Sequence, residues 1–336
     1  MSPAGSSTSF AVRFRAMGPW RFGPDSGARD RVGFVYHSDA VFSAVCSAML
    51  RLGLMEDWLR ATATSEDAPA VRFSSFFPYH GDTLLVIPPR SLWPPAESAK
   101  IRYKGARFVP LGVVESLVSG KGIDEDRWSV DGESECLVSH GAQGPFRIAI
   151  RSSAGVDRLE QGNVTPHATA CLEFARNSGL WVLVEFASAE AAAQWEAPVR
   201  SAFRLLADSG FGGERSRGWG RAQDPEWQPW TPPGALSTDE SGESGYWLLS
   251  VFTPAARDTV DWTRGSYSTI ARAGRIESTA RWGEPKAATT MVAEGSVLLA
   301  AAKPQGAAQD IAPSGFPHPV YRAGFAVTVP IPWRAA

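Results

Sequence analysis

The stretch Gly210-Phe211-Gly212-Gly213-Glu214-Arg215-Ser216-Arg217-Gly218-Trp219-Gly220 puts five glycines, two arginines and a serine between a helical segment and an extended one. Without a Cβ, glycine takes φ > 0 freely and lets the backbone approach a ligand closely. Successive N–H groups can then converge on an anion. Arg215, Arg217 and the Ser216 hydroxyl add charged and neutral donors for the same oxygens. Gly210, Gly212, Gly213 and Gly218, with those three side chains, are therefore expected to clamp an RNA backbone. The competing reading is a surface turn in which glycine only permits the bend. Two familiar phosphate loops are excluded by position. A dinucleotide fingerprint starting at Gly210 would need its last glycine where Arg215 stands, and the Gly120-Lys121 pair is followed by Gly122 rather than the Ser or Thr of a P-loop.

Upstream of the loop, 189–206 has the periodicity and propensity of a helix, and 180–186 is a dense apolar strand. Downstream, 219–230 leaves as a strand or extended segment. At the other end of the chain Phe10, Val12 and Phe14 alternate with Arg13 and Arg15, a strand with one apolar and one basic face. That basic face is either a contact for RNA or simply solvated. His37-Ser38-Asp39 opens an apolar helical pattern running to Leu52, with Ser38 or Asp39 as N-cap. The first N–H groups of a helix have no partner within it, so His37 and Ser38 are placed where a phosphate can dock. The alternative for His37 is a packed or capping histidine.

Two short apolar runs, 71–79 and 83–88, flank His80-Gly81-Asp82 and read as a hairpin. A proline-rich change of composition then opens an insertion at about 90–178. Within it Lys100, Arg102 and Lys104 alternate with Ile101, Tyr103 and Gly105. As a strand this segment lines up three positive charges, which repel one another unless something negative, most simply phosphate, compensates. The alternative is an edge strand that lysine protects from pairing. A further strand is expected at 146–150, flanked by Arg147 and Arg151, followed by a loop at 152–166.

Pruned of the insertion, the order strand, helix, two strands, strand, helix, glycine loop, strand matches a ferredoxin-like βαββαβ unit. Residues 1–9 are expected to be a flexible lead-in, 10–230 the first domain, 231–245 a linker rich in Pro, Gly, Ser and acidic residues, and 246–336 a second domain. Strands are expected there at 246–252, near 268–273, around 289–292, at 297–301 and at 321–329. The fold class is thus α+β, with tandem ferredoxin-like (RRM-like) domains, the first carrying a large insertion and the second degenerate or mostly β.

At 336 residues, with 44% hydrophobic and 20% charged content, the chain has the composition of a soluble globular protein. No apolar run approaches the roughly 20 residues that span a bilayer, and residues 1–9 lack the features of a signal peptide. Cys46, Cys136 and Cys171 are odd in number and widely spaced, which suggests neither a disulfide framework nor a zinc site. A cytoplasmic protein without membrane association, metal or cofactor is expected. The net charge of -2 argues against non-specific coating of nucleic acid, so RNA contacts must use local basic patches. There is no carboxylate cluster, metal-ligand spacing or Ser-His-Asp arrangement, which favours binding over catalysis.

These residues resemble the RAMP superfamily of CRISPR-associated proteins, and within it the fourth-Csm-subunit family of type III-A effector complexes. The resemblance rests on 37–42, on Phe76-Phe77-Pro78 with Pro88-Pro89, on the loop 210–220, on Arg272-Ala273-Gly274, on Glu294-Gly295-Ser296 and on Tyr321-Arg322-Ala323-Gly324-Phe325, in that order along nearly the whole chain. It implies a non-catalytic subunit that holds the 5′ handle of the CRISPR RNA (crRNA). Its implied neighbours are the large polymerase-like subunit and the backbone RAMP subunit, with target RNA engaged indirectly. The insertion around Lys100–Arg107 is the candidate for the family's hairpin that wedges beside the handle. Two alternatives stay open. One is a metal-independent RAMP endoribonuclease with His37 as general base and Arg215 or Lys100 stabilising the phosphorane. The other is the equivalent type III-B subunit.

Overall fold

The run Leu180-Trp181-Val182-Leu183-Val184 is apolar on both faces and has nowhere to lie but between layers. In the computed structural model all nine residues of its strand, Ser178–Phe186, are buried. The structure describes every residue except 1–7, 25–26, 96–102, 157–163, 233–242, 279, 282 and 334–336. In chain order the elements before that strand are β1 (Ser9–Arg15), α1 (Ser38–Arg51), α2 (Met55–Ala61), β2 (Val71–Phe73), β3 (Phe77–His80), β4 (Thr83–Val86), β5 (Val109–Pro110), α3 (Leu111–Val118), β6 (Trp128–Asp131), β7 (Cys136–Ser139), β8 (Phe146–Val156) and β9 (Val164–Phe174). The buried strand is β10. After it come α4 (Ala189–Ser209), β11 (Glu226–Pro229), β12 (Ser244–Leu248), β13 (Thr269–Arg272), β14 (Thr289–Val292), β15 (Val297–Leu299), β16 (Ala308–Asp310), β17 (Tyr321–Ala323) and β18 (Thr328–Pro332).

The main sheet runs β11-β1-β10-β3-β4-β5, with β2 also on β10, and these neighbours are antiparallel. The first apolar run, expected as one strand, is split. Val71–Phe73 and Phe77–His80 pair with different stretches of β10, and between them the Ser74 hydroxyl accepts from the Leu183 N–H at 2.8 Å. A side chain that satisfies a ladder donor lets the backbone step out of register without orphaning it. Gly81 at φ +57° and Asp82 make the expected turn into β4.

Helices α1 and α4 pack together on one side of this sheet. Phe14, Phe76, Phe203, Phe211 and Trp195 fill the space, with Phe14 edge-on to Phe76, Phe203 and Phe211 at 5.1–5.7 Å. Beyond Glu243 the described residues carry no α-helix. They form a three-stranded sheet, β15-β12-β18, and two-stranded pairs β13-β14 and β16-β17. One apolar core runs through both regions, taking in Trp247, Phe325, Val327 and Ile331 with the residues of the main sheet. Phe42 of α1 meets Phe325 edge-on at 5.6 Å. The molecule is a mixed α/β fold with four α-helices and several antiparallel sheets among the described residues.

Two expectations for the insertion change. Residues 103–105 form a helical turn rather than a strand, because Tyr103 is drawn fully into the core against Trp93. The expected strand at 146–150 with a loop behind it is instead an 11-residue strand, β8, paired along its whole length with β9. Eleven residues of antiparallel strand span roughly 37 Å. Most of the described tip residues on β8 are exposed.

Candidate nucleic-acid interface

The glycine loop has a buried base and an exposed tip. At the base, Gly210 (φ +79°), Gly212 (φ +86°) and Gly220 (φ +79°) lie where a Cβ would meet backbone oxygens of Trp219, Arg21 and Phe211 at 2.4, 2.6 and 2.1 Å. The N–H groups of Gly210, Gly213 and Gly220 serve the fold. Gly210 donates to Leu206, Gly213 to the Arg21 carbonyl at 2.8 Å, and Gly220 to Pro19 at 2.9 Å. The reason these glycines are needed is therefore close packing, of Gly210 and Gly220 between the two sides of the loop and of Gly212 against Arg21 and Phe22. The expected convergence of Gly210 and Gly213 N–H groups on an anion is not formed, since the protein's own carbonyls already accept from them. Phe211 anchors the base among Phe14, Trp20, Tyr36 and Phe76.

The tip, Arg215 to Gly218, is a single 3-10 turn with every residue exposed, bracketed by left-handed Glu214 (φ +60°) and Gly218 (φ +76°). Nothing lies within 4 Å of a Cβ added at Gly218. Arg215 reaches both carboxylate oxygens of Glu277 at 2.7 and 2.9 Å, and Arg217 pairs with Glu214 at 3.1 Å. Both pairs are about 40% exposed on the arginine side. Such pairs hold about 0–1 kcal/mol each, so a phosphate can recruit either guanidinium at little cost.

The other candidate residues are scattered. Arg147 and Arg151 share one face of β8 and both pair with Glu173, Arg147 at 3.0 Å. On the opposite face Ile148 and Ile150 are 47% and 62% exposed. Lys104 is exposed on its turn, whereas Lys100 and Arg102 lie outside the described residues. Arg13 and Arg15 do not present an open basic face. Gly179 of β10 has no side chain to separate them from the β3-β4 hairpin. The Arg13 guanidinium therefore sits 5.4 Å over the Tyr79 ring and 3.6 Å from the Asp82 carboxylate, with its side chain 14% exposed, and Arg15 lies beside Tyr79, half-buried.

The start of α1 is also covered, and neither expected cap is used: the N-cap is His37 and the helix begins at Ser38. The Ser38 N–H donates to the Ser75 hydroxyl and the Ser38 hydroxyl accepts from Val251. His37 Nδ1 lies 2.7 Å from Oε1 of Glu294, which also accepts from the Ser75 hydroxyl. Burial pushes the Glu294 carboxyl up. The charge on His37 and hydrogen bonds from His37 and Ser75 outweigh it and hold the group below its ordinary value. His37 and Ser38 thus fasten the helix start to the C-terminal strands, and the phosphate site expected there is filled by protein groups.

Next to this junction lies a cluster whose members the sequence offered only as separate motifs, not as one site. The Asp39 carboxylate accepts from Arg272 Nη2 and Nε at 3.1 and 3.2 Å and lies 3.5 Å from Arg322 Nε. Arg322 also donates to the carbonyls of Arg272 and Ala273 and to Thr289 Oγ1. The partners are more than 230 residues apart, so no local pattern relates them.

Residues 241–331 match the model of the CRISPR Csm4 C-terminal domain. A chain of the Csm3–Csm4 subcomplex of a type III-A CRISPR-Cas interference complex is 15% identical, with a TM-score of 0.64, covering 97% of this chain and 100% of that one. A chain of a Csm1–Csm4 cassette with cA4 is 17% identical, with a TM-score of 0.60, covering 98% and 99%. A cassette chain with pppApA is 18% identical, with a TM-score of 0.58 and the same coverage. No curated protein sequence matches. The C-terminal match is to a CRISPR-associated family, and over its whole length the chain has the fold of chains in type III-A Csm assemblies. Within that fold, residues 241–331 are a Csm4 C-terminal domain.

Proposed function

We propose that this chain is a subunit of a type III-A Csm effector complex that holds the 5′ handle of the crRNA. In the same complex it bridges the large polymerase-like subunit to the backbone RAMP subunits, without catalysis of its own. The observation that carries the reading is the exposed Arg215-Ser216-Arg217-Gly218 turn on a rigid, buried base. A single strand of fixed sequence is positioned through its phosphates, and this turn offers two weakly committed guanidiniums and a hydroxyl on a support that does not have to be ordered on binding. Type III-A Csm3–Csm4 and Csm1–Csm4 assemblies contain chains of this fold, which supports those two partner classes here.

The wedge beside the handle is assigned to the β8-β9 hairpin rather than to Lys100–Arg107. Its exposed Ile148 and Ile150 can press on bases, while Arg147 and Arg151 face phosphates. The order β11-β1-β10-β3, with α1 and α4 on one face, supports a ferredoxin-like first unit. The strands beyond Glu243 are read as a β-rich second unit.

The test is binding of fluorescent crRNA, with and without its handle, to a complex reconstituted at fixed salt with wild type or Arg215→Ala/Arg217→Ala. A drop of tenfold or more in handle-dependent affinity for the variant is expected; equal affinity with intact RNA would remove the loop from the interface. For the ribonuclease reading, the arrangement of His37 is unfavourable, because its Nδ1 is engaged by buried Glu294 and its side chain is 17% exposed. Metal-free cleavage of repeat RNA by wild type but not by His37→Ala would establish it nonetheless. Assembly with type III-B rather than type III-A partners would move the chain to the equivalent III-B role.

A further inference from the structure

Between α1 and the C-terminal strands lies a cavity of about 120 Å³, lined by Tyr36, Asp39, Arg272, Lys286, Tyr321 and Arg322 among others. That is well above the roughly 15 Å³ that one water requires. Three cations, Arg272, Arg322 and Lys286, surround the Asp39 carboxylate, which Arg272 and Arg322 already hold, and the nearby Glu277 carboxylate is paired with Arg215. The Lys286 ammonium makes no hydrogen bond or ion pair among the described residues, and the hydroxyls of Tyr36 and Tyr321 make no hydrogen bond among them either. Groups of this kind, gathered around a space with surplus positive charge, are donors waiting for an acceptor. Burial and the neighbouring Arg322 push the Lys286 ammonium below its ordinary value, the direction expected of a cation that a bound anion would relieve.

The cavity also adjoins the glycine loop. The ring of Tyr36 packs 5.2 Å from that of Phe211, and Tyr36 feels the charges of Arg215 and Glu277 at the loop tip. Tyr36 thus lies between the cavity and the charges of the loop tip.

We infer that this cavity is an anion subsite that takes one phosphate oxyanion of the bound RNA strand, with Lys286, Tyr36 and Tyr321 as donors. Arg272 and Arg322 supply the positive field and Asp39 keeps their geometry. The inference rests on the RNA-binding reading above and places a second, deeper phosphate contact beside the exposed turn.

The test uses the full chain, since Lys286 holds nothing together and Lys286→Gln is expected to fold. Tyr321→Phe, which removes one hydroxyl, is the second variant. Anisotropy titrations with single-stranded crRNA over a salt series give the slope of log K against log salt. One lost phosphate contact lowers that slope by about 0.7 for single-stranded nucleic acid. The expected result is this reduction in Lys286→Gln with the melting temperature in chloride unchanged, together with weaker binding and an intact slope in Tyr321→Phe. Slopes that overlay in wild type and Lys286→Gln overturn the inference. In that case, stabilisation of wild type by inorganic phosphate over chloride at equal ionic strength, lost in Lys286→Gln, would assign the cavity to free phosphate. The handle-binding reading is judged separately by Arg215→Ala/Arg217→Ala. If that pair loses handle dependence while the Lys286→Gln slope is unchanged, only the subsite fails; if handle dependence is absent throughout, the underlying reading fails.

Discussion

Replacing Gly220 with alanine, and in a separate variant Gly218, distinguishes a glycine that packs from one that merely turns. Both have φ near +78°, at +79° and +76°. An alanine there carries about 1–2 kcal/mol of left-handed strain. At Gly218 nothing else is added, because a Cβ there meets no atom within 4 Å. At Gly220 the new Cβ falls 2.1 Å from the Phe211 carbonyl oxygen and 2.9 Å from its nitrogen, both backbone atoms that cannot swing aside. The loop must shift, which strains the 3.3 Å Phe211-to-Gly220 hydrogen bond and displaces a ring packed 4.7 Å from Trp20 and 5.2 Å from both Tyr36 and Phe76. Overpacking of this kind adds about 1–3 kcal/mol, for a total of about 2–5 kcal/mol. The unfolding entropy of a 336-residue chain is about 0.7 kcal/mol/K. Calorimetry on the full chain is therefore expected to show a Tm about 3–7 °C lower for Gly220→Ala and about 1–3 °C lower for Gly218→Ala. Indistinguishable melting temperatures for the two variants would refute the view that the base of the loop is built of packing glycines.

Asp39→Asn leaves Arg272 and Arg322 without their carboxylate in a buried setting and is expected to cost about 3–5 kcal/mol, read as a lower urea midpoint; an unchanged midpoint would mean that the carbonyl and hydroxyl contacts of Arg322 suffice. Because the folded Glu294 carboxyl is held below its ordinary value, its contribution is present above the unfolded glutamate pKa of about 4.3 and is lost as pH falls through the folded value. The Tm of wild type should thus exceed that of Glu294→Gln at pH 7 and converge on it below about pH 4; a gap that widens on acidification would contradict the sign. For the hairpin, Ile148→Ser/Ile150→Ser should leave Tm within about 1 °C, since the exposed side chains bury little, while weakening RNA binding in the reconstituted complex. Weakened folding without loss of binding would place those isoleucines in the core instead.

Much of the architecture could be read from local pattern. The unbroken apolar run in β10 marks a strand covered on both sides, the 3.6-residue periodicity of α1 and α4 marks helices that bury one stripe, and the spacing of Gly81 and Asp82 marks the hairpin. Most C-terminal strands were likewise visible close to their observed positions, but β16 was not expected and the single strand expected at 321–329 is divided into β17 and β18, which lie in different sheets. The β9 strand was not, because Ala168, Ala170 and Cys171 have little strand character of their own and are held by cross-strand pairing with β8. Tyr103 broke the expected alternation around Lys104 for a similar reason: burial of one aromatic ring outweighs a period-2 charge pattern.

The candidate site divides along the same line. Residue type and order alone determined that the loop 210–220 turns sharply, with two arginines and a serine at its tip, since that depends only on neighbours in the chain. They also pointed, through motifs spread over the chain's length, to the family whose model matches residues 241–331. Only the tertiary structure decided which of those glycines face Arg21 and Phe211 rather than a ligand, and that Arg13 is covered by Tyr79 and Asp82. It alone decided that the start of α1 is closed by Glu294 from more than 250 residues away and that Asp39, Arg272, Lys286 and Arg322 surround one cavity. Hydrogen bonds and ion pairs act over a few ångströms in space. A charge or an N–H that looks available in the sequence is free for a ligand only if folding brings no internal partner to it.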